Sequence, residues 1–290
     1  MRRACIDIGS NTTRLLVAEV DRARLEAVHQ ERAFTHLAVT RRADGMISPA
    51  KLAEVAAVVA RQLQTARRLG CAEVHVVATA GIRRAANGRE LAVAVRDACG
   101  LEVRVLSGAE EARLAFIGAA RACGAGLDGQ LGVADVGGGS CELVVGRPPD
   151  QIGWSVSLAL GSGELTRRHL HSDPPKDAQI SRARAEVEAA MADVEPPPPA
   201  HAVAVGGSAT SLARLAGETL DDDALATALG ALCRAPSSTL ARRLGLDRQR
   251  VRLLPAGVLI LWAAAERFHL PLTVAGGGLR EGVLLEAARG

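Results

Sequence analysis

Asp7-Ile-Gly-Ser-Asn-Thr-Thr-Arg-Leu-Leu-Val-Ala18 lies without a gap over Asp135-Val-Gly-Gly-Gly-Ser-Cys-Glu-Leu-Val-Val-Gly146. The Asp, the β-branched residue after it, the Gly, the hydroxyl, the Leu and the Val coincide. Each stretch reads as a strand ending in Asp, a tight Gly-rich turn and a second strand. Two such units in one chain predict a duplicated half rather than two unrelated turns. A cleft between related halves is where a ligand would bind.

The pattern outward from each stretch supports this. Strands at 4–9 and 13–20 are followed by a third near 24–32 and a fourth near 35–40. A helix over 50–69, a strand at 72–79, a helix at 89–99, a strand at 101–106 and a helix from Ser107 to Cys123 complete the first unit. Gly124 to Gly129 reads as a linker. Strands at 131–136, 140–146 and 152–158 then restart the order. A helix at 177–193 and a strand at 201–206 come next. A helix from Ser208, helices through 222–268, a last strand at 272–275 and a C-terminal helix follow. The class is α/β, with one domain over 1–125 and a second over 126–290 whose last helix packs back on the first.

A strand that turns through glycines leaves backbone N–H groups pointing outward, a nest for phosphate oxygens, and a strand-terminal Asp can hold a metal ion or its water. Segments 7–13, 135–140, 205–211 and 275–282 all qualify. The phosphate-binding candidates are Gly9, Ser10, Asn11, Thr12, Gly137, Gly138, Gly139, Ser140, Gly206, Gly207 and Ser208. Asp7 and Asp135 are metal candidates. Arg14 and Glu142 occupy matching positions in the two stretches, Arg14 suited to phosphate and Glu142 to a metal shell. No G-x-x-x-x-G-K-[ST] stretch is present. Gly124-Ala-Gly126-Leu-Asp-Gly129 fits G-x-G-x-x-G but follows a helix, the wrong context for a dinucleotide site.

Ser107-Gly-Ala-Glu110 is a capping box, which occupies Glu110 and leaves Glu111 free. Two readings of Glu111 stay open: a base facing the cleft, or an acidic residue favoured by the helix dipole. Arg83 and Arg84 read equally as a phosphate clamp or a solvated pair. His169 and His171 lack partners for a zinc site, and Asp221-Asp-Asp223 reads as a helix N-cap cluster.

The net charge of +3 does not indicate nucleic acid. No apolar run spans a bilayer, and the N-terminus lacks a signal-peptide core, so a cytoplasmic protein is expected. The six cysteines form no C-x-x-C pair and read as small buried hydrophobes.

These stretches, with Ala78-Thr-Ala-Gly-Ile-Arg-Arg-Ala-Ala-Asn87, Ser107-Gly-Ala-Glu-Glu-Ala-Arg-Leu114, Gly206-Gly-Ser-Ala-Thr210 and Gly278-Leu-Arg-Glu-Gly282, resemble the exopolyphosphatase and guanosine pentaphosphate phosphatase (Ppx/GppA) family. The resemblance spans nearly the whole chain. It implies two RNase H-like domains of the actin, Hsp70 and sugar-kinase superfamily, with an interdomain cleft. It assigns Glu111 as catalytic base, Mg²⁺ to Asp135 and Glu142, and phosphates to the glycine turns; Arg14 and Arg83 are expected as auxiliary contacts. Hydrolysis of the terminal phosphoanhydride of inorganic polyphosphate is the reaction expected. Alternatives are pppGpp hydrolysis, a kinase or ATPase of the same superfamily, or a catalytically silent sensor. A homodimer is implied at family level. Thr35-His-Leu-Ala-Val-Thr40 lacks the Arg and glycines usual in the family there, and Cys141 stands where Thr is common. The extra helical domain of longer members is not expected, and with it long-chain processivity.

Overall fold

A computed structural model describes residues 1–21, 24–37, 44–124 and 127–289. Two sheets carry the fold. In the first, β1 (Arg2–Ile8), β2 (Thr12–Asp21) and β3 (Arg24–Phe34) form an antiparallel meander. Parallel β4 (Glu73–Ala78) and β5 (Val103–Val105) extend it on the β1 side, in the order β3-β2-β1-β4-β5. In the second, β6 (Leu131–Val136), β7 (Cys141–Arg147) and β8 (Gln151–Leu158) repeat the meander. Parallel β9 (His201–Val205) and β11 (Leu272–Val274) follow, with the two-residue β10 (Thr219–Leu220) at the edge.

The duplication holds at the level of register. Asp7 pairs with Arg14, and Asp135 pairs with Glu142. The β2/β3 ladder shifts between Val17 and Ala18, and the β7/β8 ladder between Val145 and Gly146. Those residues are superposed in the sequence alignment, so even the bulge is repeated.

Alternation along the strands sorts the cores. Ala4, Ile6 and Ile8 face α1 (Pro49–Arg68) and α3 (Gly88–Cys99). Cys5 faces the other way, with Leu16 and Val77, toward α4 (Gly108–Cys123) and the C-terminal α11 (Leu279–Ala287). Helix α4 lies between the sheets. Its Leu114 and Ile117 join the first sheet's core, while Ala112, Phe116, Ala119 and Ala120 join the second's. A helix apolar on two faces needs such a double burial. The far face of the second sheet is covered by α5 (Ser162–His169), α6 (Asp177–Met191), α7 (Gly206–Ala216), α8 (Asp222–Arg234), α9 (Ser237–Leu244) and α10 (Arg248–Phe268). Helix α11 crosses α4 at glycine. A Cβ on Gly118 would collide with the Gly278 carbonyl, and one on Gly282 with the Leu114 carbonyl. The last helix also packs on β1 and β2 of the first sheet.

Some expectations need correcting. The short helix α2 (Ala80–Arg83) and helix α5 lie where no helix is expected. No strand forms at 35–37: the N–H groups of Thr35 and His36 both turn to the carbonyl of Asn11. Residues 38–40 of that expected strand, and 125–126 of the expected linker, lie outside the described residues. All six cysteines are free, but only Cys5, Cys71 and Cys141 are buried; the other three are half-buried. Among the described residues no helix is long and apolar enough to cross a membrane.

Candidate active site

The Gly-rich turns meet face to face at one end of the two sheets. Gly9 N–H and Gly137 N–H each close their turn, on the carbonyls of Thr12 and Ser140 at 2.9 and 3.0 Å. Gly138 packs on the Asn11 side chain and Gly139 on Ser10, with no room for a Cβ at either glycine. Between and beside the turns lies a cavity of about 410 Å³. Of the expected phosphate contacts, Gly9, Ser10, Asn11, Thr12, Arg14, Gly137, Gly138, Gly139, Ser140, Gly206 and Gly207 line it. Gly206 adopts φ +83°, and a Cβ there would strike Asp135.

Ser208 and Arg83 are not on the cavity wall. Ser208 points away, buried against Gly257 of α10. Arg83, at the end of α2, makes an ion pair with Glu111 and donates to the Leu106 carbonyl at 2.6 Å. Its neighbour Arg84 donates to the carbonyl of Gly139 at 2.8 Å. Each arginine of the pair thus braces part of the site.

Six carboxylates line the cavity: Asp7, Glu111, Asp135 and Glu142, with Glu31 and Glu281. The capping box is present as read, with Glu110 N–H on Ser107 Oγ at 3.2 Å and Ser107 N–H on Glu110 Oε2 at 2.8 Å. Arg104 also pairs with Glu110. Helix α4 therefore starts at Gly108 and turns Glu111 inward, where only 5% of it is exposed. Burial pushes Glu111 up to about 7, against the pull of Arg83 and with repulsion from Asp7 and Asp135 added. Burial likewise raises Asp135 to about 6, opposed by Arg14. Asp7 is raised by burial, and Asp7 Oδ1 is buried without a hydrogen-bond partner. Glu142 is pushed well above the carboxylate range by burial, with repulsion from Glu111 and Asp135; the Ser157 hydroxyl donates to it at 2.8 Å.

The opposite wall is cationic. Arg14, Arg32, Arg250 and Arg280 all reach the cavity. Arg250 is 4% exposed, and its Nε is buried without a partner. Burial and the nearby Arg14 and Arg32 pull its guanidinium down to about 9, still charged at neutral pH. Burial and Arg280 pull Arg14 to about 10. A buried cation without a carboxylate partner is costly unless an anion joins it. Arg32 and Arg250 fall outside every candidate segment, while Thr210 and Ser211 lie in segment 205–211 but not among the contacts expected of it. Arg250 was findable: with Leu254, Val258 and Leu261 it falls on the apolar stripe of α10, where a charge needs a reason. Arg280 sat inside a quoted motif without being singled out.

Asp221 accepts from Ala224 N–H at the start of α8, as the N-cap reading expects. His169 is half-buried and pairs with Glu186.

The sequence profile of the Ppx/GppA phosphatase family matches residues 16–289. Exopolyphosphatase 1 of Mycobacterium tuberculosis is 29% identical over 303 residues, covering 98% of this chain and 88% of the relative. Exopolyphosphatase 2 of the same organism is 32% identical over 269 residues, 88% of this chain and 83% of the relative. The crystal structure of the Aquifex aeolicus Ppx/GppA family member superposes with a TM-score of 0.82 at 28% identity, covering 100% of this chain and 98% of that one.

Proposed function

The chain belongs to the Ppx/GppA phosphatase family, and from that premise we propose that it hydrolyses the terminal phosphoanhydride of inorganic polyphosphate with Glu111 as general base. One observation carries the assignment of the base: Glu111 is a buried carboxylate held near neutrality, on the wall shared by both glycine turns.

The backbone N–H groups of the two turns, with the hydroxyls of Ser10, Thr12 and Ser140, cradle the terminal phosphoryl group. Arg14, Arg250 and Arg280 neutralise the phosphates behind it. Glu111, held by Arg83, takes a proton from water as its oxygen attacks the terminal phosphorus. The P–O bond to the bridging oxygen breaks, and that oxygen keeps the electron pair on the shortened chain. Such a reaction relies on positioning and charge compensation.

A divalent cation fits the carboxylate side. Among the described residues no three His, Cys, Asp or Glu stand close enough to cage an ion alone. Mg²⁺ rarely uses such a cage; it takes one or two carboxylates, waters and substrate phosphates. The unpartnered Asp7 Oδ1, together with Asp135 and Glu142, suits that mode. When bound, the ion would neutralise phosphate charge. The two halves act as domains dividing at 125/126, each contributing one turn.

Phosphate release from short polyphosphate, long polyphosphate, pppGpp and ATP, measured with Mg²⁺, tests this. Short polyphosphate should turn over fastest, and Glu111→Gln should lose at least about a hundredfold in kcat while binding persists. Faster release from pppGpp would replace the substrate and leave the mechanism. Full activity in Glu111→Gln would remove the base.

A further inference from the structure

We propose that Ser157 is a positioning residue, which locks Glu142 against the first turn of the helix that carries Glu111. The inference rests on the reading of the site given above.

Ser157 lies on β8 directly opposite Glu142 in the β7/β8 ladder, so the two side chains share a face of the sheet. Its hydroxyl donates to Glu142 Oε1 at 2.8 Å. The turn provides a second donor to the same carboxylate, Ser140. Ser140 lines the cavity and Ser157 does not, so Ser157 holds Glu142 from behind without touching what the cavity binds.

The second contact of Ser157 is what makes it more than a hydrogen-bond partner. A methyl group added at Gly108 would stand 2.6 Å from Ser157 Cβ and 2.7 Å from its Oγ. Gly108 is the first residue of α4, three before Glu111. The same methyl would lie 3.8 Å from Arg83 Nη2, the guanidinium that holds Glu111. Ser157 is therefore wedged between one carboxylate and the start of the helix bearing the other. It sets the offset between Glu142 on the second sheet and Glu111 on α4. Groups that orient a site's carboxylates from behind typically change affinity or turnover by about 10–100-fold when removed.

The test uses the full chain with Ser157→Ala, Ser157→Thr and Glu111→Gln. Turnover of short polyphosphate, melting temperature and Mn²⁺ binding, read from the EPR signal of the free ion, are measured on each. Ser157→Ala should lose about tenfold or more in kcat with KM within about twofold and an unchanged melting temperature. Its Mn²⁺ dissociation constant should rise about tenfold. Ser157→Thr, which keeps the hydroxyl, should recover most of both. Wild-type kcat in Ser157→Ala overturns the proposal. So does a loss of kcat with Mn²⁺ binding unchanged, a parallel fall in melting temperature, or a folded Ser157→Thr that recovers nothing. Mn²⁺ binding is read without turnover. If no form releases phosphate, the hydrolase reading fails by itself and the dissociation constant alone decides on Ser157: raised, the inference stands; unchanged, it falls.

Discussion

At the scale of single residues, the site turns on how one carboxyl holds its proton. Glu111 acts as a base only when ionised, and burial raises it to about 7. In the free enzyme kcat/KM should therefore fall as pH drops below about 7. Arg83 pulls in the opposite direction, so Arg83→Gln should move that limb to higher pH; a full pH profile of both proteins checks it. A limb that stays in place would mean that the ion pair does not govern the base. Glu111 was partly legible in the chain because its neighbour was already committed: once Ser107 and Glu110 cap the helix, the next acid is left to face inward. Arg83 was legible as a phosphate contact or a surface residue, and its pairing with Glu111 was not. Its partner is 28 residues away, brought near only by the packing of α2 beside α4. Arg250 could be noticed as a charge on an apolar stripe, but not given its partners, since nothing within its own helix reveals that Arg14 and Arg32 lie opposite.

At the scale of elements, α4 bears two duties. It fills the gap between the sheets, and it presents Glu111 at its first turn. Its crossing with α11 is made by backbone meeting backbone at Gly118 and Gly282. Gly118→Ala must push α11 away, because the obstruction is the Gly278 carbonyl and no side chain can yield. The substitution should cost about 2–3 kcal/mol, seen as a fall of about 5–10 °C in melting temperature. Activity should drop with it, because Gly278 and Arg280 at the start of α11 are cavity wall. A melting temperature within a degree of wild type would show that the crossing relaxes freely. Long periodic helices such as 49–68 and 108–123 were readable from their apolar spacing. Helix α5 was not. It starts at Gly161-Ser-Gly163, a sequence that locally favours a turn, without a side-chain cap. It is helical because Gly161 and Gly163 must fit against Gly138 and Asn11.

At the scale of the whole molecule, the duplication was the most legible feature, since it rests on an internal match that needs no outside reference. The cleft's two-signed lining was not legible, because it is assembled from both sheets and from α10. That lining has a cost. Asp135 and Glu111 bind protons more tightly folded, near 6 and 7, than as ordinary carboxyls of 3.8 and 4.5. Their stabilising contribution is complete below about pH 4 and is lost as pH rises to about 7, because the unfolded chain ionises first. The melting temperature of the ligand-free protein should decline across that window. Glu111→Gln, neutral throughout, should flatten the decline and melt higher than wild type at pH 8; equal slopes by calorimetry would refute the account. The placement of α11 has a further consequence, in the order of synthesis. Val283, Leu284 and Leu285 complete the core of the first sheet, yet they leave the ribosome about 160 residues after α4 does. At about 5–20 residues per second the first half waits roughly ten to thirty seconds with that face of β1 and β2 covered by α4 but not by α11. The half that is made first is the half that finishes last.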